Sequence, residues 1–194
     1  MRTLHYFHIR HVAEELGACP DTTDTKILDL WERIREEVEA LPVPHKVYND
    51  SYSKFRDEGP IEMIGPTEAV ALNSMFMSKP NGPNKDMLIC LSERGSTIIM
   101  CESDTLVTKY RDFMTTIRHK AAEKASNSEK KSYFHIIWAR NEFVAGQIGV
   151  SLQDNETGML FLGRSHDLGD HMTGLLTDLD IDVIHHFKNC LPGE

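Results

Sequence analysis

In this chain of 194 residues, side chains able to carry acid–base or metal chemistry recur where short apolar runs end. His8 lies at the end of Leu4–Ile9 and His11 just beyond it, while Asp50 follows His45–Tyr48. Glu102 follows Thr97–Met100, His166 follows Met159–Leu162, and Arg140 sits in the helical stretch before that last run. If the runs are parallel strands, their carboxyl ends share one rim, the place where open α/β sheets bind ligands. A set of imidazoles and carboxylates is what a divalent ion or an acid–base pair requires. The expectation is therefore a metal-assisted hydrolase of a small polar substrate. His8, His11, Asp50, Glu102 and His166 are its candidate ligands for Mn, Co or Zn, and the ion lowers the pKa of a bound water toward about 7. Glu102, Arg140 and His166 are the catalytic candidates, with Arg140 stabilising charge that develops on the substrate.

Each of these residues also has a plainer role open to it. His8 stands among Tyr6, Phe7 and Ile9, as a packed core histidine would, Glu102 is placed to cap the next helix, and Arg140 is placed to pair with Glu142 or a helix end. The rival reading is a non-catalytic module in which Arg140, Asn141, Arg164 and Ser165 hold a small anionic ligand at the same crevice. A third is a homo-oligomer whose exposed methionines, among Met75, Met77 and Met87, face a partner. His166 and His171 are five apart, so they do not stack on one helix face as a metalloprotease pair would. Ser165 lacks the glycine elbow of a hydrolase nucleophile, and Cys101 falls inside an apolar run where a buried, inert thiol is expected. The glycines at 146, 149, 158, 163 and 169 form no dinucleotide or phosphate-loop fingerprint.

The elements that must position these groups are strands alternating with helices. Met159–Leu162 is apolar on both faces and bounded by Gly158 and Gly163, as a buried parallel strand is. Leu4–Ile9, His45–Tyr48, Thr97–Met100 and Ile181–Phe187 complete the strand set. Ile27, Leu30, Trp31, Ile34, Val38 and Leu41 recur at helical spacing and stop at Pro42 and Pro44, after N-cap candidates at Asp21–Asp24. Lys54–Gly65 is polar and punctuated by glycine and proline, which predicts a surface loop, and a helix is expected through Val70, Leu72, Met75 and Phe76. Asn84 is expected to cap a short helix carrying Met87, Leu88 and Leu91, closed by Gly95. Asp104 or Thr105 should cap a longer one with Leu106, Tyr110, Phe113, Met114 and Ile117 on one face. Ser126–Glu129 interrupts before a further helix carrying Phe134, Ile137, Trp138, Val144 and Ile148, and a brief helix follows Asp170. This alternation predicts one three-layer α/β domain over 1–194, with right-handed crossovers and a mostly parallel sheet of about five strands.

The totals narrow the partners. A net charge of −9 disfavours a phosphate-backbone binder, and the basic residues from Arg118 to Lys131 are interleaved with Glu123 and Glu129 as on a solvated helix face. No apolar run approaches the roughly 18 residues of a membrane span. The start of the chain lacks a secretory h-region, and the four cysteines form no Cys-x-x-Cys pair. A cytoplasmic, reduced location is expected.

In order along the chain, Phe7-His8-Ile9-Arg10-His11, Met100-Cys101-Glu102 or Tyr48-Asn49-Asp50, Arg140-Asn141-Glu142-Phe143-Val144-Ala145 and Leu162-Gly163-Arg164-Ser165-His166 resemble the TraB-like and erythromycin-esterase-like superfamily, which includes the ChaN-type and Tiki-type proteins. That group has an early strand with histidine, a strand ending in an acid, a helix opening with arginine-asparagine, and a late apolar strand ending glycine-x-x-histidine. The resemblance implies a mixed α/β domain and, in some members, metal-dependent hydrolysis, whereas others are binding proteins. The family's early glycine-bearing motif is absent here.

Overall fold

The structure, a computed structural model, describes residues 1–9, 24–49, 63–64, 82–119, 126–163, 166 and 170–187. Six strands form one sheet: β1 (Arg2–Ile9), β2 (Lys46–Asn49), β3 (Met63–Ile64), β4 (Thr97–Met100), β5 (Thr157–Gly163) and β6 (Ile181–His186), in the spatial order β3-β4-β2-β5-β1-β6. The last five in that order are parallel, and only the two-residue β3 at the other edge runs antiparallel, against β4. The expected α/β sheet is therefore present. The surface loop expected over Lys54–Gly65 contains β3 near its end, and the helix expected through Val70–Phe76 lies outside the described residues.

Among the described residues five helices cover the sheet: α1 (Asp24–Ala40), α2 (Pro83–Glu93), α3 (Asp104–His119), α4 (Asn127–Ser151) and α5 (His171–Asp178). Alternation along the strands divides the core in two. Phe7, Ile9, Val47, Ile98, Met159 and Phe161 pack with Ile27, Trp31 and Ile34 of α1 and Leu88 and Leu91 of α2. Leu4, Tyr6, Tyr48, Ile99, Leu160 and Leu162 pack with Val144 and Ile148 of α4 and Met172 and Leu176 of α5. This is the three-layer arrangement that a sheet apolar on both faces demands.

Helix ends follow from local chemistry, in two places differently from expectation. Asn84 does not cap α2. Gly82 is the N-cap and Pro83 fills the first turn, where a missing N–H costs nothing, while buried Asn84 accepts a hydrogen bond from Asn49 Nδ2 at 2.9 Å. Neither Asp104 nor Thr105 caps α3; the Ser103 hydroxyl accepts from Leu106 N at 3.2 Å. Gly95 closes α2 as expected, with φ of 109°. Ser126 opens α4 with a capping box, its hydroxyl accepting from Glu129 N while Glu129 Oε2 accepts from Ser126 N at 2.8 Å.

The 25 residues of α4 span about 37 Å, longer than the seven residues of β5. Its C-terminal end is tied to the sheet's body, where Ser151 Oγ meets Tyr48 OH at 2.9 Å, and Leu152 packs near Gly158. Arg140 reaches Glu102 beyond the carboxyl end of β4, and α4 has a further 13 residues before it, about 20 Å of helix. There α3 runs alongside in the opposite sense: Tyr110 lies under Arg140, and both Tyr110 and Phe113 contact Tyr133. Phe134 and Trp138 are 40% and 42% exposed; their rings meet each other, and Trp138 also meets His171 of α5. Met87, one of the methionines expected at a partner surface, is buried in the core, and Met75 and Met77 lie outside the described residues.

Candidate functional site

Three groups expected to meet at the carboxyl rim do meet. Met100 ends β4 facing the α1 layer, and two residues later Glu102 turns inward with a side chain 0% exposed. Arg140 of α4 grips it through both guanidinium edges. Nη2 donates to Oε1 at 2.7 Å and Nε donates to Oε2 at 3.1 Å, the two-pronged geometry that a planar guanidinium favours. The same guanidinium lies 4.9 Å from the Tyr110 ring centre, so its face is covered as well as its edge.

His166, beyond β5, completes the cluster. Its Nε2 is 3.4 Å from Glu102 Oε1, a contact that is an ion pair when the ring is protonated. Its Nδ1 lies 2.7 Å from Asn141 Oδ1, and Asn141 Nδ2 donates to the His166 carbonyl at 2.6 Å. Because the amide oxygen only accepts, Nδ1 is the nitrogen that carries the hydrogen. Asn141 Nδ2 is also 3.3 Å from His171 Nδ1, which joins the start of α5 to the same group. Adjacent residues of one helix thus hold the ends of two strands, Arg140 that of β4 and Asn141 that of β5. The pair lies well inside α4 and does not open a helix.

His8 does not join them. His8 is buried on the α5 side of the sheet, stacked on Tyr6 with ring centres 4.2 Å apart, and its Nε2 meets His185 Nδ1 of β6 at 3.0 Å. His185 Nε2 in turn lies 3.2 Å from Thr173 Oγ1 of α5. His11, Asp50, Arg164 and Ser165 lie outside the described residues. Among the described residues no group of three or more His, Cys, Asp or Glu side chains is arranged to hold a metal ion.

A second imidazole pair went unnoticed in the sequence. On the α1 side, His5 Nδ1 is 2.9 Å from His186 Nε2, and His186 Nδ1 is 3.4 Å from Glu37 Oε1. His186 also stacks on Phe7 at 4.4 Å. Burial pushes both imidazoles below the ordinary histidine pKa; for His5 the neighbouring His186 adds to the fall, and Glu37 and Asp182 oppose it. For His186 the opposing influence is Glu37. The strands β1 and β6 are therefore joined by a histidine pair on each face. The available signal was the parity of the residues: His5 and His8 fall on opposite faces of one strand, as do His185 and His186 of another.

Fold and site together define an open α/β domain with a buried acid–guanidinium–imidazole cluster at its carboxyl rim. Comparison with known proteins finds no family model, no curated protein and no solved structure that matches the chain. No helix among the described residues is long and apolar enough to cross a membrane.

Proposed function

We propose that this chain is a small-ligand-binding α/β domain that holds an anionic ligand at the carboxyl rim of its sheet, over a floor braced by Glu102, Arg140, Asn141 and His166. One observation carries the reading: Arg140 occupies both oxygens of Glu102, and His166 Nδ1 is held by Asn141 Oδ1. A carboxylate so gripped is a weak base, which favours binding over acid–base turnover. The preference for an anion comes from the helices. The start of α3 follows β4, that of α5 meets Asn141, and that of α2 meets Asn49 at the end of β2, so the positive ends of three helix dipoles lie at this rim.

Calorimetry of the whole chain against nucleotides, sugar phosphates and dicarboxylates tests the proposal. Saturable binding of one class, weakened in Arg140→Met, is the expected result. Absence of heat across the panel rejects it, and so does turnover of an ester or phosphoester that disappears in Glu102→Gln.

The metal-assisted hydrolase reading rests on a different observation. The 3.4 Å between Glu102 Oε1 and His166 Nε2 is about the spacing of two donors on one tetrahedral ion with bonds near 2 Å. Against it stands Arg140, whose charge beside that oxygen would oppose a cation by about 4 kcal/mol per unit charge at 4 Å and an effective dielectric of about 20. Metal analysis of wild type and His166→Ala separates the two: bound Mn, Co or Zn lost in the variant favours the hydrolase, and equal, negligible metal removes it.

A further inference from the structure

Among the described strands β6 pairs only with β1, so one ladder and the packing of α5 hold it to the domain. Imidazole pairs reinforce that ladder on both faces, His5 with His186 and His8 with His185. The first pair has room for one added proton. His186 Nδ1 faces Glu37 Oε1 at 3.4 Å and carries the hydrogen of that contact, which leaves Nε2 as a lone pair when the ring is neutral. His5 Nδ1, 2.9 Å from that lone pair, is then the donor. His5 can accept a proton on its own Nε2 and go on donating. His186 cannot, because a hydrogen on its Nε2 sets two N–H groups and two positive rings against each other across 2.9 Å.

The surrounding charges do not lift this conflict. Glu37 of α1 and Asp182 of β6 favour a charged His5, and Glu37 a charged His186, but Glu37 is 46% exposed and Asp182 is exposed too, so water screens both. Arg33 of α1 is turned to the Phe187 ring, 5.2 Å from its centre, and Phe7 covers one face of His186. Burial outweighs the acids and holds both rings below the ordinary histidine value.

We infer that the seam between β1 and β6 is an acid-operated latch: protonation of both His5 and His186 parts β6 from β1 while β2, β4 and β5 stay paired. Release is local because β6 has a described neighbour on one side only, Asp182 and Ile184 already face solvent, and the ladders joining β4, β2, β5 and β1 do not pass through it. The open seam binds one proton more than the closed one. Its opening constant is therefore flat above about pH 6.5 and rises toward about tenfold per pH unit below it, so the latch is shut in neutral solution and loosens in acid.

Hydrogen exchange of the full chain at about pH 7.5 and 5.5, expressed as protection factors, tests the latch. At both pH values the β6 amides should be less protected than those of β2 and β4, and in low urea their exchange should stay flat while that of the central strands quickens, as a local opening requires. Acid should lower β6 protection at least about tenfold; in His186→Gln, which keeps an acceptor for His5 and takes up no proton, the loss over the same step should be about tenfold smaller. If His186→Gln fails to fold, His5→Gln is read in the same way. Equal protection and equal urea response in β6 and the central strands would overturn the inference, as would an acid step of the same size in wild type and variant.

Discussion

Replacing Glu102 by glutamine isolates the charge at the centre of the rim cluster. The amide keeps the volume of the carboxyl group, so no cavity opens, and the change falls on electrostatics alone. Arg140 is left with a side chain 8% exposed and its counter-charge gone, while His166 loses the anion 3.4 Å from its Nε2. Breaking a buried ion pair from one side costs about 3–5 kcal/mol. The glutamine oxygen still accepts one of the two hydrogen bonds from Arg140, which places the expected loss near the lower end, about 3 kcal/mol. In a domain of this size that lowers Tm by about 6–12 °C. Urea unfolding followed by tryptophan fluorescence measures the free energy, and scanning calorimetry the midpoint. Arg140→Met should be comparably costly, and the double variant should lie closer to wild type than the sum of the singles by about 2 kcal/mol, because it removes both charges together. A Glu102→Gln variant within about 1 kcal/mol of wild type would refute the view that this cluster braces the rim.

The imidazole pair at β1 and β6 sets a pH dependence. His5 and His186 have folded pKa values below the ordinary 6.5 because burial disfavours their charged forms, so the unfolded chain binds protons first as pH falls. Their contribution is intact above about 6.5 and is lost as pH drops through that value; urea midpoints at pH 7.5 and 5.5 should differ, and flattening of that difference in a His5→Gln/His186→Gln double variant would assign it to this pair. Gly158→Ala brings a Cβ to 2.8 Å from Leu4 Cδ1 and 3.2 Å from Tyr48 Cε2, so overpacking should cost about 1–3 kcal/mol in the same unfolding assay. Ser126→Ala removes the capping box that opens α4 and should cost about 1 kcal/mol, with hydrogen exchange faster in the first turn of that helix and unchanged near Ser151.

The strands were legible because a parallel sheet covered on both faces needs uninterrupted apolar runs, and Thr97–Met100 and Met159–Leu162 have little else. Their parallel order then brought Glu102, Arg140 and His166 into reach, since remote strand ends share a rim whatever lies between them. What escaped were features that depend on neighbours. β3 is two residues inside a polar stretch and exists through its pairing with β4. Phe134 and Trp138 keep the spacing of core residues yet are exposed by about two-fifths, because periodicity does not say what a helix face packs against. Ser103 caps α3 in place of the acid one residue later, a choice made by where β4 releases the chain. The His5–His186 pair requires β6 to lie beside β1, which the crossover after β5 decides.

Arg140 and Asn141 are consecutive on α4 yet bind groups that follow different strands, Glu102 after β4 and His166 after β5. A substitution that shifts α4 at this dipeptide therefore disturbs both contacts together, so the two halves of the rim cluster stand or fall with the seating of one helix.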